Sequence, residues 1–600
     1  MAKGSRKYLS NVVGQEDMRA VQTTVLQDLS DILIRSFGPK GSNTCIKEMN
    51  ALNVYTKDGF TILKHLNFNG VIEQSIKDDI ESITKNVATT VGDGTTSAVL
   101  LANFIFKGLL DYQKKQAEME ESSDDAIIGA NFTTPSEILT ILNECCAKID
   151  AKIVEHAETA TLETLYDVAY TSANGNAWIA NIIIDIYKQL GMGAFIDVSP
   201  SLNEETSVKY FDGMTLNSGF GDNTCFVNDT RNNSAVIDHP LIFFFEDPID
   251  TKEMGVLFDA IVSRYISTPI QSGEADKVRP VVIVCPHISR DMSSNIDKVL
   301  DWQSRQAPGN KIPFLLLSDV TQGSLMRDVM KMCGARGIRK YIDSELYKKD
   351  VENNDAPTPF TVHEWAGHAD QVSANTSRTK FVNPAKMHNE DGSFSNEYLN
   401  LLDYVKTEIN KLKSDGEVNG IGHLKRRLHS LQSNLVEINV GGITVADRDS
   451  NRHLFEDAVL NCRSAAEHGV GWGANFSGLI AIDELMMMNP DADDKRQCVT
   501  HDIMGIIYDA YCKLVHILYE SCMNKTNADG LFTISMSNKQ PFNLRTWEFD
   551  GKVRSSIESD CIILSSVAKI IGIMVTCNQF IVPTPQHNVY SDMKEVIINE

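Results

Sequence analysis

A multidomain α and α/β protein, in which mainly helical ends build one domain around an inserted α/β centre, is the fold class this sequence predicts. Three observations predict it. The chain has 600 residues, well past the roughly 250–300 at which a single hydrophobic core stops growing. Apolar residues recur at helical spacing towards both ends. The middle instead alternates short buried-looking strand runs with helical stretches, as an α/β layer does.

In chain order, Val21, Val25, Leu29, Ile32 and Leu33 place a helix between Glu16 and Arg35, stopped by the turn Phe37-Gly38-Pro39-Lys40-Gly41. A short strand leads to a second turn, Thr56-Lys57-Asp58-Gly59, and an amphipathic stretch, Ile72 to Val87, leads to Val91-Gly92-Asp93-Gly94-Thr95-Thr96-Ser97. From Ser97 to Leu110 a long apolar helix follows. Lys114 to Thr134 is polar and acidic and reads as a solvated surface insertion. Helical periodicity returns from Pro135 to His156. In the centre, Leu241–Phe245, Val281–Cys285 and Phe314–Leu317 read as buried strands, with helices over Glu253–Tyr265, Met292–Arg305 and Leu325–Cys333. Residues 345–400 carry little pattern and are expected to include long loops. Past Tyr404 helices dominate again, interrupted by a strand-like Val436–Thr444. No internal repeat is visible.

Composition excludes several function classes. The chain carries 56 Lys+Arg against 80 Asp+Glu, a net charge of −24, which repels polyanions and argues against nucleic acid as a partner. Apolar runs such as Val281–Cys285 and Ile571–Val575 fall short of the roughly 20 residues a bilayer-crossing helix needs, and the basic N-terminus lacks a signal-peptide core, so no membrane partner and a cytoplasmic location are expected. The 12 cysteines contain no C-x-x-C pair and read as reduced thiols.

The chemistry-bearing residues begin with the glycine-rich turn. Gly92 and Gly94 let a backbone approach an anion, and the amides opening the next helix favour a phosphate. Thr95, Thr96 and Ser97 can donate to phosphate oxygens, whereas Asp93 would repel them unless a hard cation such as Mg²⁺ lay between. As an isolated string, a plain helix-capping turn explains it equally well. No G-x-x-x-x-G-K-S/T string is present, so a P-loop NTPase is excluded. Lys40 and Lys57, each beside a glycine turn, can neutralise phosphate charge. Downstream, Phe455-Glu456-Asp457-Ala458 offers a helical carboxylate that could orient a water or complete a Mg²⁺ shell, although such a pair is more often solvated. His363-Glu-Trp-Ala-Gly-His368 resembles a zinc-protease string, but its histidines are five apart rather than four and share no helical face; a polar loop is the better reading.

Taken together, S-F-G-P-K-G, T-K-D-G-F-T-I-L, V-G-D-G-T-T-S-A-V-L-L-A, T-S-A-N, F-E-D-A and the glycine run near Gly473 resemble, in order and spacing, the chaperonin family, and within it the GroEL-type (group I) branch. The resemblance implies an equatorial ATPase domain from residues 1–155 and 469–600, an intermediate domain from 156–212 and 434–468, and an apical polypeptide-binding domain over 213–433. It implies ATP with Mg²⁺, and K⁺ as a candidate second cation. Asp93 would hold Mg²⁺. Ser36, Phe37, Gly38, Pro39, Lys57, Asp93, Gly94, Thr95, Thr96, Ser97, Gly473, Ala474 and Asn543 would contact the nucleotide. Asp58 and Asp457 would be catalytic, with Asp457 swinging onto the nucleotide as the subunit closes. Phe220, Phe226, Leu257, Phe258, Met292 and Ile296 would offer apolar surface to non-native polypeptide.

Some positions depart from the family pattern. Ala474 replaces a paired glycine, Ser433-Asn434 replaces a hinge Gly-Gly opposite Gly213, no aspartate aligns cleanly near Arg554–Ile557 with the ribose contact, and the Gly-Met-rich tail is absent. This divergence resembles the chaperonins of large bacteriophages, which would place the protein in a host cytoplasm. The implied function is an ATP-hydrolysing subunit of a ring homo-oligomer, heptameric and single or double, that binds and encloses non-native client proteins. A co-chaperonin lid would be either specialised or absent. A chaperonin-like scaffold with weak or no ATP turnover is the alternative, and a small-molecule phosphotransferase lacks any supporting pocket signature.

Overall fold

The computed structural model describes residues 10–47, 53–121, 133–192 and most of 435–583. In the central region 263–279, 290–312, 344–361, 415–420 and several shorter stretches lie outside the described residues. The expected contacts Met292 and Ile296 and the hinge pair Ser433-Asn434 fall there, as does 122–132 of the acidic segment.

The chain divides into two compact units, residues 1–192 with 442–600 and residues 193–441. Each has its own apolar core, so both ends do build one unit with the centre inserted between them.

The first unit is helical. Helix Gln15–Leu33 and the helix Val71–Thr90 pack with Thr95–Glu121, which also meets Lys495–Glu520 and Ile557–Thr576. The last of these packs most extensively on Pro135–Glu155. Thr134 caps that helix through a reciprocal capping box with Glu137 and a proline at its first turn, all legible in T-P-S-E. Ile557–Thr576 is long and apolar enough to cross a membrane by composition alone, yet 67% of its apolar window is buried in the protein; it is a core helix. The acidic segment is in part a correction, since Lys114–Glu121 continues the preceding helix.

The second unit holds the α/β layer. Strands Phe314–Leu317, Val281–Val284 and Leu241–Phe244 run parallel and fully buried, as expected of a sheet covered on both faces. Antiparallel strands Gly367–Ala374, Thr379–Pro384 and Gly213–Leu216 extend the sheet, and Ala235–Asp238 also pairs with Gly367–Ala374. The hairpin corrects the expectation of long loops over 345–400: the buried positions of its first strand are Gly367, Ala369, Val372 and Ala374, too small to register as an apolar run, and Phe381 is the one large side chain that its second strand buries. His363 belongs to the 3-10 turn Val362–Trp365 and His368 to the hairpin's first strand, so the histidine string is neither a metal motif nor a loop. A three-stranded sheet with Leu435–Val440 between Phe195–Pro200 and Ser207–Phe211 completes the unit.

The proposed polypeptide contacts need correcting here. Leu257 and Phe258 are 1% and 0% exposed, and Phe220 and Phe226 are 5% and 6% exposed. Phe226 meets Phe314 edge-on at 5.7 Å and Phe258 meets Phe245 at 6.3 Å. These four side chains are core of the α/β unit, because an apolar helical run does not reveal which neighbour covers it. Gly213 opens a strand; a Cβ there would lie 2.4 Å from the Phe381 carbonyl oxygen, a packing reason for glycine independent of any hinge.

Candidate nucleotide site

Within the first unit, segments separated by up to about 500 positions close around a cavity of about 470 Å³, within the range of small-molecule sites. Its floor is the turn Gly92-Asp93-Gly94 and the head of the 27-residue helix Thr95–Glu121. Gly92 and Gly94 hold φ of +78° and +92°, angles that L side chains reach only with strain. The Gly94 amide donates to Asp93 Oδ1 at 2.7 Å, and Ser172 Oγ donates to Oδ2 at 3.3 Å.

Asp58 caps the short helix Gly59–Lys64, accepting from the Phe60 and Thr61 amides at 3.2 and 2.8 Å and from Thr61 Oγ1 at 2.6 Å. Thr95 Oγ1 donates to it at 3.2 Å, joining the two turns. No room exists for a side chain at Gly59, where a Cβ would sit 2.6 Å from Thr96 Oγ1.

The third wall is helix Val445–His468. Ser450, His453, Leu454 and Asp457 line the cavity, and Asn461, one turn beyond Asp457 on the same face, donates to Ser172 Oγ at 2.7 Å. An Asn461–Ser172–Asp93 chain therefore ties this helix to the glycine turn. Asp457 was expected to arrive only on closure; it lines the cavity in this structure, because Gly92 lets the two backbones touch. A Cβ at Gly92 would lie 3.0 Å from Asp457 Cα.

The electrostatics suit a cation and a polyanion. Burial, then Asp58, Asp93 and Glu456, pushes the Asp457 carboxyl well above the usual range. Burial also raises Asp93, with Asp58 adding and the Gly94 amide, Ser172 and Arg545 opposing. Like charges gathered in a dry site call for a hard cation. Among the described residues no three His, Cys, Asp or Glu side chains gather closely enough to hold a metal alone, so phosphate oxygens and water would complete a Mg²⁺ shell, its ordinary mode of binding. Burial, then the Arg545 guanidinium, lowers the Lys57 pKa.

Of the expected nucleotide contacts, Ser36, Phe37, Gly38, Pro39, Lys57, Asp93, Gly94, Thr95, Thr96, Ser97, Ala474 and Asn543 all line the cavity, with Asp58 and Asp457. Gly473 is not among the lining residues, though Trp472 and Ala474 on either side are. Lys40 points elsewhere, to the Cys522 carbonyl at 3.4 Å and over the Trp547 ring. Ser36 turns its hydroxyl back to the Leu33 carbonyl. Asn543 commits its amide to Asp550 and to the Arg545 and Thr546 backbone, so it shapes the loop more than it offers a free contact. Residues that sequence reading missed include Asn461, Tyr170, Trp472, Arg545 and Asp560. The Thr171–Asn174 string was a usable signal for Ser172; nothing local marked the others. Asp560, which also lines the cavity, is buried and pushed up to about 7 by that burial, and it accepts from Asn475 Nδ2 at 2.8 Å and the Gly478 amide at 3.3 Å.

Ala474 holds φ +58°, a left-handed angle costing a Cβ-bearing residue about 1–2 kcal/mol. Against glycine's extra unfolded-chain entropy of about 0.4–1 kcal/mol, Ala474→Gly is expected to raise stability by up to about 1 kcal/mol. A small rise in Tm checks this; a fall would contradict it.

The family model of the TCP-1/cpn60 chaperonin family matches residues 29–256, a span that includes all three glycine-bearing turns and the Thr171–Asn174 string. Two crystal structures of the chaperonin gp146 from bacteriophage EL (Pseudomonas aeruginosa), both in the presence of ATP-BeFx, share the fold. One aligns with a TM-score of 0.68 at 15% identity, over 95% of this chain and 98% of that one. The second crystal form gives 0.60 at 16% identity, over 95% and 99%. This chain therefore matches the chaperonin family model over residues 29–256 and shares the fold of a phage chaperonin over nearly its whole length.

Proposed function

We propose that the chain is an ATP-hydrolysing chaperonin subunit of the group I kind that assembles with its own copies into a ring and uses turnover to bind and enclose non-native polypeptide. The carrying observation is the meeting of Asp58, Asp93 and Asp457 with Lys57 around a glycine-lined cavity at a helix head. In this reading residues 1–155 and 469–600 form the equatorial domain, 156–212 and 434–468 the intermediate domain and 213–433 the apical domain. The amides of the Gly92–Ser97 turn and Lys57 bind the phosphates. Asp93 and Asp58 would hold Mg²⁺, which when bound supplies charge neutralisation at the phosphates. Asp457 orients a water and accepts its proton.

Assembly has its own support. Strand Ser10–Val13 pairs only with Phe580–Pro583 among the described residues, and Thr44–Ile46 only with Val54–Thr56. Val12, Ile581 and Tyr55 are exposed on them. Two-stranded sheets are marginal in water and their open edges recruit further strands, which suits contact between copies. The phage chaperonin likeness favours a phage-encoded protein working in a host cytoplasm.

The test measures phosphate release by purified protein with and without an unfolded protein, alongside particle images with and without ATP. Mg²⁺-dependent release in both cases, no phosphorylated product and closed rings are expected. Rings without release would leave only a holding scaffold; an open single subunit would refute assembly.

A further inference from the structure

The cavity contains a second cation that the chaperonin motifs do not supply. Arg545 lines it from the loop after Asn543. That loop is fixed: the Asn543 side chain accepts from the Arg545 amide at 3.0 Å, and the Asn543 backbone exchanges bonds with Glu548 and Trp547. The guanidinium is aimed by the opposite wall, where Nη2 donates to Asn174 Oδ1 at 2.7 Å and the group lies 5.9 Å from the Tyr170 ring centroid. Gly175, at φ +82°, leaves its space; a Cβ there would be 2.7 Å from Arg545 Nε.

Arg545 is only half-exposed, and neither of its two fixed partners carries a charge. Burial lowers its pKa, with Tyr170 and then Asp93 opposing, and its charge in turn lowers Lys57. Asp93 offsets part of this charge, and the two partly buried cations on one cavity are satisfied further when a phosphate joins them. A planar fork of donors matches phosphate oxygens in geometry and charge, and part of the fork remains free after the bond to Asn174.

We propose that Arg545 is a phosphate-binding residue of this site, aimed by Asn174, Tyr170 and Gly175, and that it sets preference for nucleotide phosphates over the bare nucleoside. The proposal rests on the nucleotide reading of the cavity. It also connects the loop after helix Leu162–Ser172 to whatever phosphate the site holds.

The experiment titrates full-length protein with adenosine, ADP and a non-hydrolysable ATP analogue, each with Mg²⁺, by calorimetry. Wild type is compared with R545A, R545K and N174A. A lost charge-assisted hydrogen bond corresponds to a fall of about 10- to 100-fold, so R545A is expected to lose about that much affinity for the phosphate-bearing ligands and none for adenosine. R545K recovers part of the loss, N174A loses several-fold less than R545A, and guanidinium ion added to R545A restores binding in part. Equal loss for adenosine would make Arg545 a brace of the loop or a base contact and overturn the proposal. Unchanged binding in R545A would overturn it while leaving the nucleotide site intact, whereas wild type binding neither nucleotide would overturn both. Should R545A fail to fold, R545K with unaltered phosphate affinity, together with N174A at wild-type affinity, overturns it.

Discussion

Asp457→Ala is expected to bind Mg²⁺-nucleotide about as well as wild type while hydrolysing it about 100- to 10,000-fold more slowly, the span usual for loss of a positioned acid–base group. Binding should survive because the proposed phosphate contacts belong to other elements lining the cavity, the Gly92–Ser97 turn and Lys57. Removing Asp457 also removes a buried carboxyl that Asp58 and Asp93 disfavour, so affinity for an anion rises if it changes at all. The same fact protects the fold: a desolvated acid repelled by its neighbours costs stability when ionised, and Tm should hold or increase. Loss of turnover with intact binding and Tm therefore isolates a chemical role. Asp457→Asn keeps the shape and serves as the companion variant; near-normal turnover in either would remove Asp457 from the mechanism.

The cavity was largely legible where one short string carried both backbone freedom and charge. Gly92, Asp93 and Gly94 by themselves suited a phosphate turn and a plain helix cap equally well; the two lysine-bearing turns before them and Asp457 after them pointed to one shared site, and the structure places the glycine turn on the floor of a cavity that Lys57 and Asp457 also line. Asp457 was legible only through its company, since a helical Glu-Asp pair by itself is usually solvated. Arg545 and Asn461 were not legible. Arg545 gains its meaning from Asn174, 371 positions away, and Asn461 from Ser172, 289 positions away; no local pattern encodes such meetings. Four of the candidate polypeptide contacts failed for a related reason. Leu257 and Phe258 carry the right chemistry for a sticky rim, but the same chemistry builds a core, and the strands behind them decided the matter. The hairpin from Gly367 to Pro384 escaped because the inward positions of its first strand are small and its second strand buries a single large side chain, Phe381.

Gly92→Ala should disable turnover by moving Asp457 instead of deleting it. At φ +78° the added methyl carries left-handed strain of about 1–2 kcal/mol, and it would lie 2.9 Å from Leu460 Cβ, 3.0 Å from Asp457 Cα and 3.1 Å from the Asp457 carbonyl oxygen. These contacts are mostly backbone, in a helix whose Phe455, Ala458 and Val459 are buried, so no rotamer change relieves them and the helix must shift bodily. A misplacement of about 1 Å can cost about 100-fold in rate, the loss expected in kcat, with a modest fall in Tm from the strain. Gly94→Ala is the internal control. Its φ of +92° gives comparable strain, but its Cβ would meet Ile563 Cδ1 at 2.5 Å, the tip of a side chain that can turn aside, so the helix should stay and kcat should fall much less. The double variant Gly92→Ala with Asp457→Ala decides the cause. If Gly92 acts through Asp457, the pair should be no slower than Asp457→Ala alone, because a carboxylate already absent cannot be displaced. Additive losses would instead place the effect of Gly92 in the phosphate turn itself.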